Sequence, residues 1–309
     1  MLCTYSVSDL VPYINWTYFF HAWGIPPHYA RVAKVHACDA CRRQWISSFA
    51  IDEQPKASEA LSLYSDAQRE LSRMSGHVSI HCVVELYPAV ASGDDILIRK
   101  PEGDKPFVLP MLRQQTPGSD GYCLSTADFI YDEACGKTDT IGIFATSVSQ
   151  TSPQVSASSS IRRAAATTLS PDDYHTLMMQ TLSDRLAEAG AERLHEYVRK
   201  ELWGYAPNES LSIDELHTEQ YQGIRPAVGY PCLPDVSLNF LLSQLIDFDA
   251  VGISLTEHGM MIPHASVSGL MLSSPYARYF AVGTVLDDQL ADYARRRGMP
   301  LEEMRKYIK

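Results

Sequence analysis

Between Tyr221 and Asp235 the chain reads YQGIRPAVGYPCLPD, with two glycines, three prolines, two tyrosines and one arginine. Proline fixes φ and glycine admits positive φ, so a backbone of this composition is shaped rather than loose. Arg225, held on such a backbone, presents a fixed fork of donors suited to a carboxylate. Gly229 would let a ligand approach the main chain, and Tyr230 follows it directly, giving the pattern R-x-x-x-G-Y. A second set lies on a long helical stretch, where Asp184, Glu188 and His195 are four and seven residues apart and so share a face. That stripe reads first as a solvated polar face, with carboxylates turned to a cationic ligand as the alternative. A third set is HACDAC, a C-x-x-C formed by Cys38 and Cys41 with His36 beside it. Zinc normally needs a second pair, which His81 or Cys82 could supply in principle. The helical context and the absence of a matching knuckle favour ordinary thiols over a metal or redox centre, so no metal is expected. The chain has no G-x-G-x-x-G fingerprint, no P-loop and no G-x-S-x-G elbow.

The elements that must position these residues follow from periodicity. The first 76 residues read as mainly helical, with Leu61, Tyr64, Ala67, Leu71 and Met74 at helical steps. VSIHCVVELYPAVASGDDILIRK changes to strand character, two strands joined at ASGDD, and TIGIFATSV is a further strand. Residues 147–169 are rich in Ser, Thr and Ala and read as a mobile loop. Ser170, Pro171 and Asp173 then supply an N-cap, an N1 proline and an N3 carboxylate for a helix running to about Trp203. SLNFLLSQLIDFDAVG is a second helix candidate. SVSGLMLSSPYARYFAVGTV resembles two strands around a Ser-Pro turn, with Tyr279 and Phe280 on opposite faces of the second. Two short helices broken at Gly298-Met299-Pro300 close the chain. Strands grouped apart from helices indicate an α+β fold.

With 309 residues, 45% hydrophobic and 20% charged, the chain has ordinary globular composition and ample core. Its 26 basic and 37 acidic residues give a formal charge of −11, which argues against nucleic-acid binding through a basic surface. No apolar run approaches the roughly 18 to 20 residues a membrane span needs. The N-terminal stretch lacks the basic and apolar regions of a signal peptide. Seven scattered cysteines do not form a disulfide framework, and a cytoplasmic protein is expected.

Many further segments fall in order. YINWTYFFHAWG, ELYPAVASGDDILI, LRQQT, CLSTADFI, GKTDTIGIFA, LSDRLAEAGAERLHEYVRKELWGYAPNE, ELHTEQYQGIRPAVGYPCLPD and HASVSGLMLSSPYARYFAVGTVLDDQLADYARRRGM together resemble the activation domain of cobalamin-dependent methionine synthase, over nearly the whole chain. The resemblance implies a single C-shaped α+β domain spanning 1–309, with a twisted antiparallel sheet flanked by helices. It also implies S-adenosylmethionine binding, in support of reductive methylation of cob(II)alamin on a separate methionine synthase chain, with flavodoxin or an equivalent reductase as electron donor. On this reading Arg225 binds the methionine carboxylate, and Ala227 adds main-chain contacts. Gly229 and Tyr230 shape the wall facing the corrin, and Tyr279 and Phe280 occupy an aromatic pair. Glu188 and Glu219 match acidic positions near the sulfonium, and Asn15 stands where the family has an aspartate. Phe280 stands where the family has a second tyrosine. One of the ten histidines, His175, has aspartate two positions before it, but Met178 stands where the glycine would be, so the cobalt-ligating D-x-H-x-x-G motif is missing and cobalamin is expected only through the partner. The chain is expected to act as a stand-alone form of the domain, related to a methyltransferase but without homocysteine, folate and cobalamin domains. The alternative reading is a divergent, non-catalytic module that binds S-adenosylmethionine or docks a corrinoid protein.

Overall fold

The computed structural model describes residues 1–101, 105–118, 121–150 and 171–308. In chain order they form β1 (Leu2–Ser6), α1 (Val7–Leu10), α2 (Trp16–Ala22), α3 (Asp39–Ser47), α4 (Gln54–Met74), β2 (Val78–Ser92), β3 (Asp95–Ile98), β4 (Phe107–Pro110) and β5 (Asp139–Gln150). There follow α5 (Pro171–Tyr197), α6 (Ile213–His217), α7 (Leu238–Leu242), β6 (Ser254–Leu255), β7 (Met261–Ile262), β8 (Ser266–Met271), α8 (Asp287–Arg297) and α9 (Leu301–Met304). The fold is α+β, and no helix among the described residues is long and apolar enough to cross a membrane. The chain divides into two compact units.

The helical unit comprises residues 4–80 and 148–190. It contains aromatic contacts in which Trp16 meets Tyr64 edge-on at 4.8 Å and Trp23 meets Tyr174 at 5.2 Å. The buried stripe of α4 is Ala57, Ala60, Leu63, Ala67, Leu71 and Met74, turned slightly from the sequence expectation, because Leu61 and Tyr64 lie at its half-buried margin.

The sheet unit comprises residues 1–3, 81–147 and 191–309. Its strands run in the order β4-β3-β2-β5-β8, with β1 also paired to β2. The β2–β3 turn falls at Gly93-Asp94, inside the ASGDD segment, and the ladder is antiparallel from Ala89↔Ile98 to Ser92↔Asp95. β5 pairs antiparallel with β8 from Gly142↔Met271 to Ser147↔Ser266. Alternation then separates two faces. Ile141, Ile143, Ala145, Leu270 and Leu272 enter one large apolar core, leaving Gly142, Phe144, Gly269 and Met271 on the other side.

The YQGIRPAVGYPCLPD loop is tied to this sheet. Ile224 and Leu272 exchange backbone hydrogen bonds of 2.9 and 3.0 Å, Leu270 N donates to Pro226 O at 3.0 Å, and Val228 N donates to Ser268 O at 2.9 Å. Residues 224–228 are thus an edge segment running antiparallel to β8, and Pro226 is tolerated there because only its carbonyl is used. The far end of the loop is anchored by buried Asp235. That carboxylate accepts from Arg297 at 2.6 Å, from Tyr293 Oη at 2.8 Å and from Ser237 N at 2.8 Å.

Within the mainly helical N-terminal part, residues 2–6 are a strand, paired with β2. Three expectations require correction. Residues 147–150 complete β5, since Ser147 still pairs with Ser266, whereas 151–169 and the N-cap Ser170 lie outside the described residues. The 238 segment gives only the five-residue α7 before the chain turns. Finally, there is no second strand after Ser274-Pro275. Phe280 uses both its N–H and its C=O on Cys232 Sγ, at 3.2 and 2.8 Å, and Val282 N donates to Pro231 O at 2.9 Å. The backbone of 279–282 is therefore spent beside the 221–235 loop rather than on β8.

A Cβ at position 269 would lie 2.2 Å from Pro226 O and 2.9 Å from Ala227 Cα. Gly269→Ala should therefore push the 224–228 segment off β8 and lower stability by about 2–3 kcal/mol, read as a reduced urea midpoint.

Candidate functional site

Arg225 follows from the alternation just described. Ile224 and Val228 face the large core, so Arg225 emerges on the opposite face, over the ring of Phe144 at 5.8 Å. Its side chain is only 10% exposed, and Nη2 donates to Glu192 Oε2 at 3.0 Å. The other carboxylate oxygen, Glu192 Oε1, is buried without a hydrogen-bond partner. A desolvated guanidinium–carboxylate pair is weak evidence for stability.

The C-terminal turns of α5 supply the rest. Glu192, His195 and Arg199 are three and four residues apart and share one face. His195 is fully buried, packs edge-on against Tyr221 at 4.9 Å, and has Nε2 3.4 Å from Tyr205 Oη. Burial, with Arg199 and Arg225 nearby, holds its pKa well below the ordinary 6.5, so the ring is neutral. Arg199, also fully buried, stacks over Tyr221 at 4.3 Å and forms a two-bond pair with Glu209 at 2.6 and 2.8 Å. It lies in a π-helical turn, Val198–Leu202, a distortion that recurs at functional sites.

Tyr279 Oη accepts the Arg225 N–H at 2.9 Å and lies 3.1 Å from Tyr221 Oη. It thereby fixes the backbone of the residue whose side chain pairs with Glu192. Glu219 has φ 59, the left-handed region, and closes α6. Its N–H donates to Leu216 O and that of Gln220 to Glu215 O, both at 3.0 Å, the Schellman arrangement whose left-handed position normally carries glycine. Partial desolvation and the Glu192 carboxylate push its pKa up, with Arg225 pulling it back, so Glu219 shares the electrostatic environment of that pair.

Of the residues singled out from sequence, Arg225, Ala227, Gly229, Tyr230, Tyr279, Phe280 and Glu219 belong to the sheet unit. Ala227 is buried and bridges to Gly269 through its backbone. Gly229 has φ 87 and donates to Leu233 O at 2.8 Å, and Tyr230 is 49% exposed. The ring of Phe280 is 6.3 Å from that of Phe129, on the core side. Asn15 and Glu188 belong to the helical unit, where Asn15 Oδ1 caps α2 by accepting the Thr17 N–H at 3.1 Å. The proposed polar stripe is not solvated at its end, because His195 is buried. Sequence reading missed Glu192 and Arg199, although a step of four from Glu188 reaches the first and a step of four from His195 reaches the second.

A family model for the vitamin B12 dependent methionine synthase activation domain matches residues 6–298. The chain belongs to this family. A crystal structure of the MetH reactivation domain bound to AdoHcy is similar to it, with 36% identity, a TM-score of 0.78, and coverage of 99% of this chain and 88% of that one. In this activation domain the match spans both the edge segment 224–228 and the residue 279 that holds it.

Two outcomes test the site's construction. His195 is neutral when folded but takes up a proton near pH 6.5 when unfolded. Its contribution is therefore fully present above that pH and is lost as pH falls below it, with a limiting slope of about 1.4 kcal/mol per pH unit. The difference in urea stability between wild type and His195→Gln across that range isolates the slope. Glu219→Gly should stabilise the fold by about 1 kcal/mol, since glycine adopts the left-handed position without strain.

Proposed function

We propose that the sheet unit binds S-adenosylmethionine and presents its methyl group to a cobalamin carried by a methionine synthase chain. The observation that carries this reading is Arg225, fixed at its backbone by Tyr279 and at its side chain by Glu192, in a chain of the activation-domain family. The ligand's charges match the residues. A carboxylate suits the Arg225 fork, and the ammonium and sulfonium suit the carboxylates of Glu192 and Glu219. The buried, unpartnered Glu192 Oε1 is an acceptor available to such a cation. When bound, the sulfonium supplies a transferable methyl group and leaves as a neutral thioether, so no general acid is required.

The chain's own contribution is then positioning. Arg225 orients the amino-acid end of the ligand, and the main chain at Ala227 and Gly229 lies alongside it. Exposed Tyr230 walls the side open to the partner. His195, kept neutral beside two arginines, adds no charge that would repel a sulfonium. A strained glutamate at 219, where glycine would be relaxed, fits a position kept for its charge rather than for folding. The cobalamin partner, flavodoxin or an equivalent reductase as electron source, and a cytoplasmic setting complete the proposal. The charge of −11 speaks against a nucleic-acid partner.

Calorimetric titration of the chain with S-adenosylmethionine, and with AdoHcy for comparison, should show saturable binding. Arg225→Lys keeps the charge but loses the fork, and should weaken binding by about 10- to 100-fold. Wild-type protein that is folded yet silent to both ligands would refute the reading.

A further inference from the structure

The HACDAC segment of the helical unit closes into a cluster that the proposed function leaves unused. Cys38 is the N-cap of α3, and its Sγ accepts the Cys41 N–H at 3.3 Å. N-cap and N3 are the positions whose side chains meet across the first helical turn, the geometry of a Ser-x-x-Glu capping box. Here both positions carry thiols. The Cys38 N–H in turn donates to His36 Nδ1 at 3.3 Å, which folds the imidazole back against the same turn. As a result the ligand atoms of His36, Cys38 and Cys41 all lie within 4.8 Å of one another. None of the seven cysteines, all of them among the described residues, is in a disulfide.

We propose that His36, Cys38 and Cys41 form a soft-metal site that takes zinc(II), with water as the fourth ligand. Zinc–sulfur and zinc–nitrogen bonds of about 2.3 and 2.0 Å put tetrahedral ligands roughly 3.5 Å apart. The observed spread therefore closes with side-chain movements on the order of 1 Å, which surface rotamers permit. His36 and Cys38 are exposed and Cys41 half-buried, so an ion reaches the site from solvent without unfolding α3. Two thiolates and an imidazole select zinc-like cations over magnesium or calcium, which want oxygen. The negative charge of the thiolates is tolerated because they flank the N-terminus of a nine-residue helix and precede Arg42 and Arg43. The second pair of ligands that a closed structural zinc site would need is not required, since three protein ligands and one open position are a stable arrangement.

The test uses the full chain, reduced, stripped with a chelator and titrated separately with zinc(II) and cobalt(II). One ion should bind per chain, and the cobalt form should show a near-ultraviolet thiolate-to-cobalt charge-transfer band with tetrahedral visible bands. Cys41→Ser should weaken zinc affinity by more than the roughly 10- to 100-fold that loss of an outer-shell partner costs. Cys38→Ser/Cys41→Ser should abolish the charge-transfer band, and Cys135→Ser should leave both readouts unchanged. Circular dichroism of each variant verifies that the fold is retained. A cobalt complex without the charge-transfer band would overturn the proposal, as would undiminished zinc binding in the double variant. A reduced chain that binds neither ion but readily forms a Cys38–Cys41 disulfide on mild oxidation would overturn it in favour of a redox pair.

Discussion

The missing side chain of Gly269 is the constraint on which the site depends. Only because that position has no Cβ can the Pro226 carbonyl reach the Leu270 amide and bring the 224–228 segment onto β8. Once that ladder forms, the two-residue period of an extended chain leaves no choice of direction. Ile224 and Val228 go into the core, and Arg225 goes to the other face, toward Phe144. Gly223 faces the same demand one step earlier, where an added Cβ would lie 2.2 Å from Leu272 O. Two glycines thus fix the geometry of the arginine.

That arginine is placed where charge is costly. Glu192, Arg199, Glu209 and Arg225 all carry charge in or near the interior, and hydrophobic substitutes of similar volume would often serve stability as well or better. The arrangement makes sense if the charges are positioned in advance for a ligand, so that little reorganisation accompanies binding. The two arginines also set the state of His195. With its ring buried and cations nearby, its neutral form is the stable one, and the cluster avoids a third buried positive charge.

The legible parts of the fold were those whose physics is local. Pro and Gly density marked 221–235 as a shaped backbone, and the ASGDD turn and the Gly298 break were readable for the same reason. What escaped was set by tertiary partners. The 276–286 stretch has strand-like composition, yet Cys232 and Pro231 capture its backbone groups, and no periodicity within the segment could reveal that. Glu192 was missed for a different reason. It continues a visible stripe, but its meaning comes from Arg225, which lies 33 residues away in the chain and meets it only after folding. The resemblance to the activation-domain family carried the ligand class; the residues alone carried an anion-binding arginine on a stiff loop.

Asn15 and Phe280, the two positions where the resemblance implied other residues, both have local structural roles. Asn15 accepts the Thr17 amide as the N-cap of α2, a role in which asparagine and aspartate are nearly equivalent. Phe280 contributes to its surroundings through its backbone, bonded to Cys232, while its ring packs among apolar residues. A tyrosine hydroxyl directed into those residues would need a partner or lose its hydration. The hydroxyl that matters for Arg225 belongs to Tyr279, which is present and holds both the Arg225 amide and the Tyr221 phenol. The placement of Arg225 therefore rests on the hydroxyl at position 279 and draws on none at position 280.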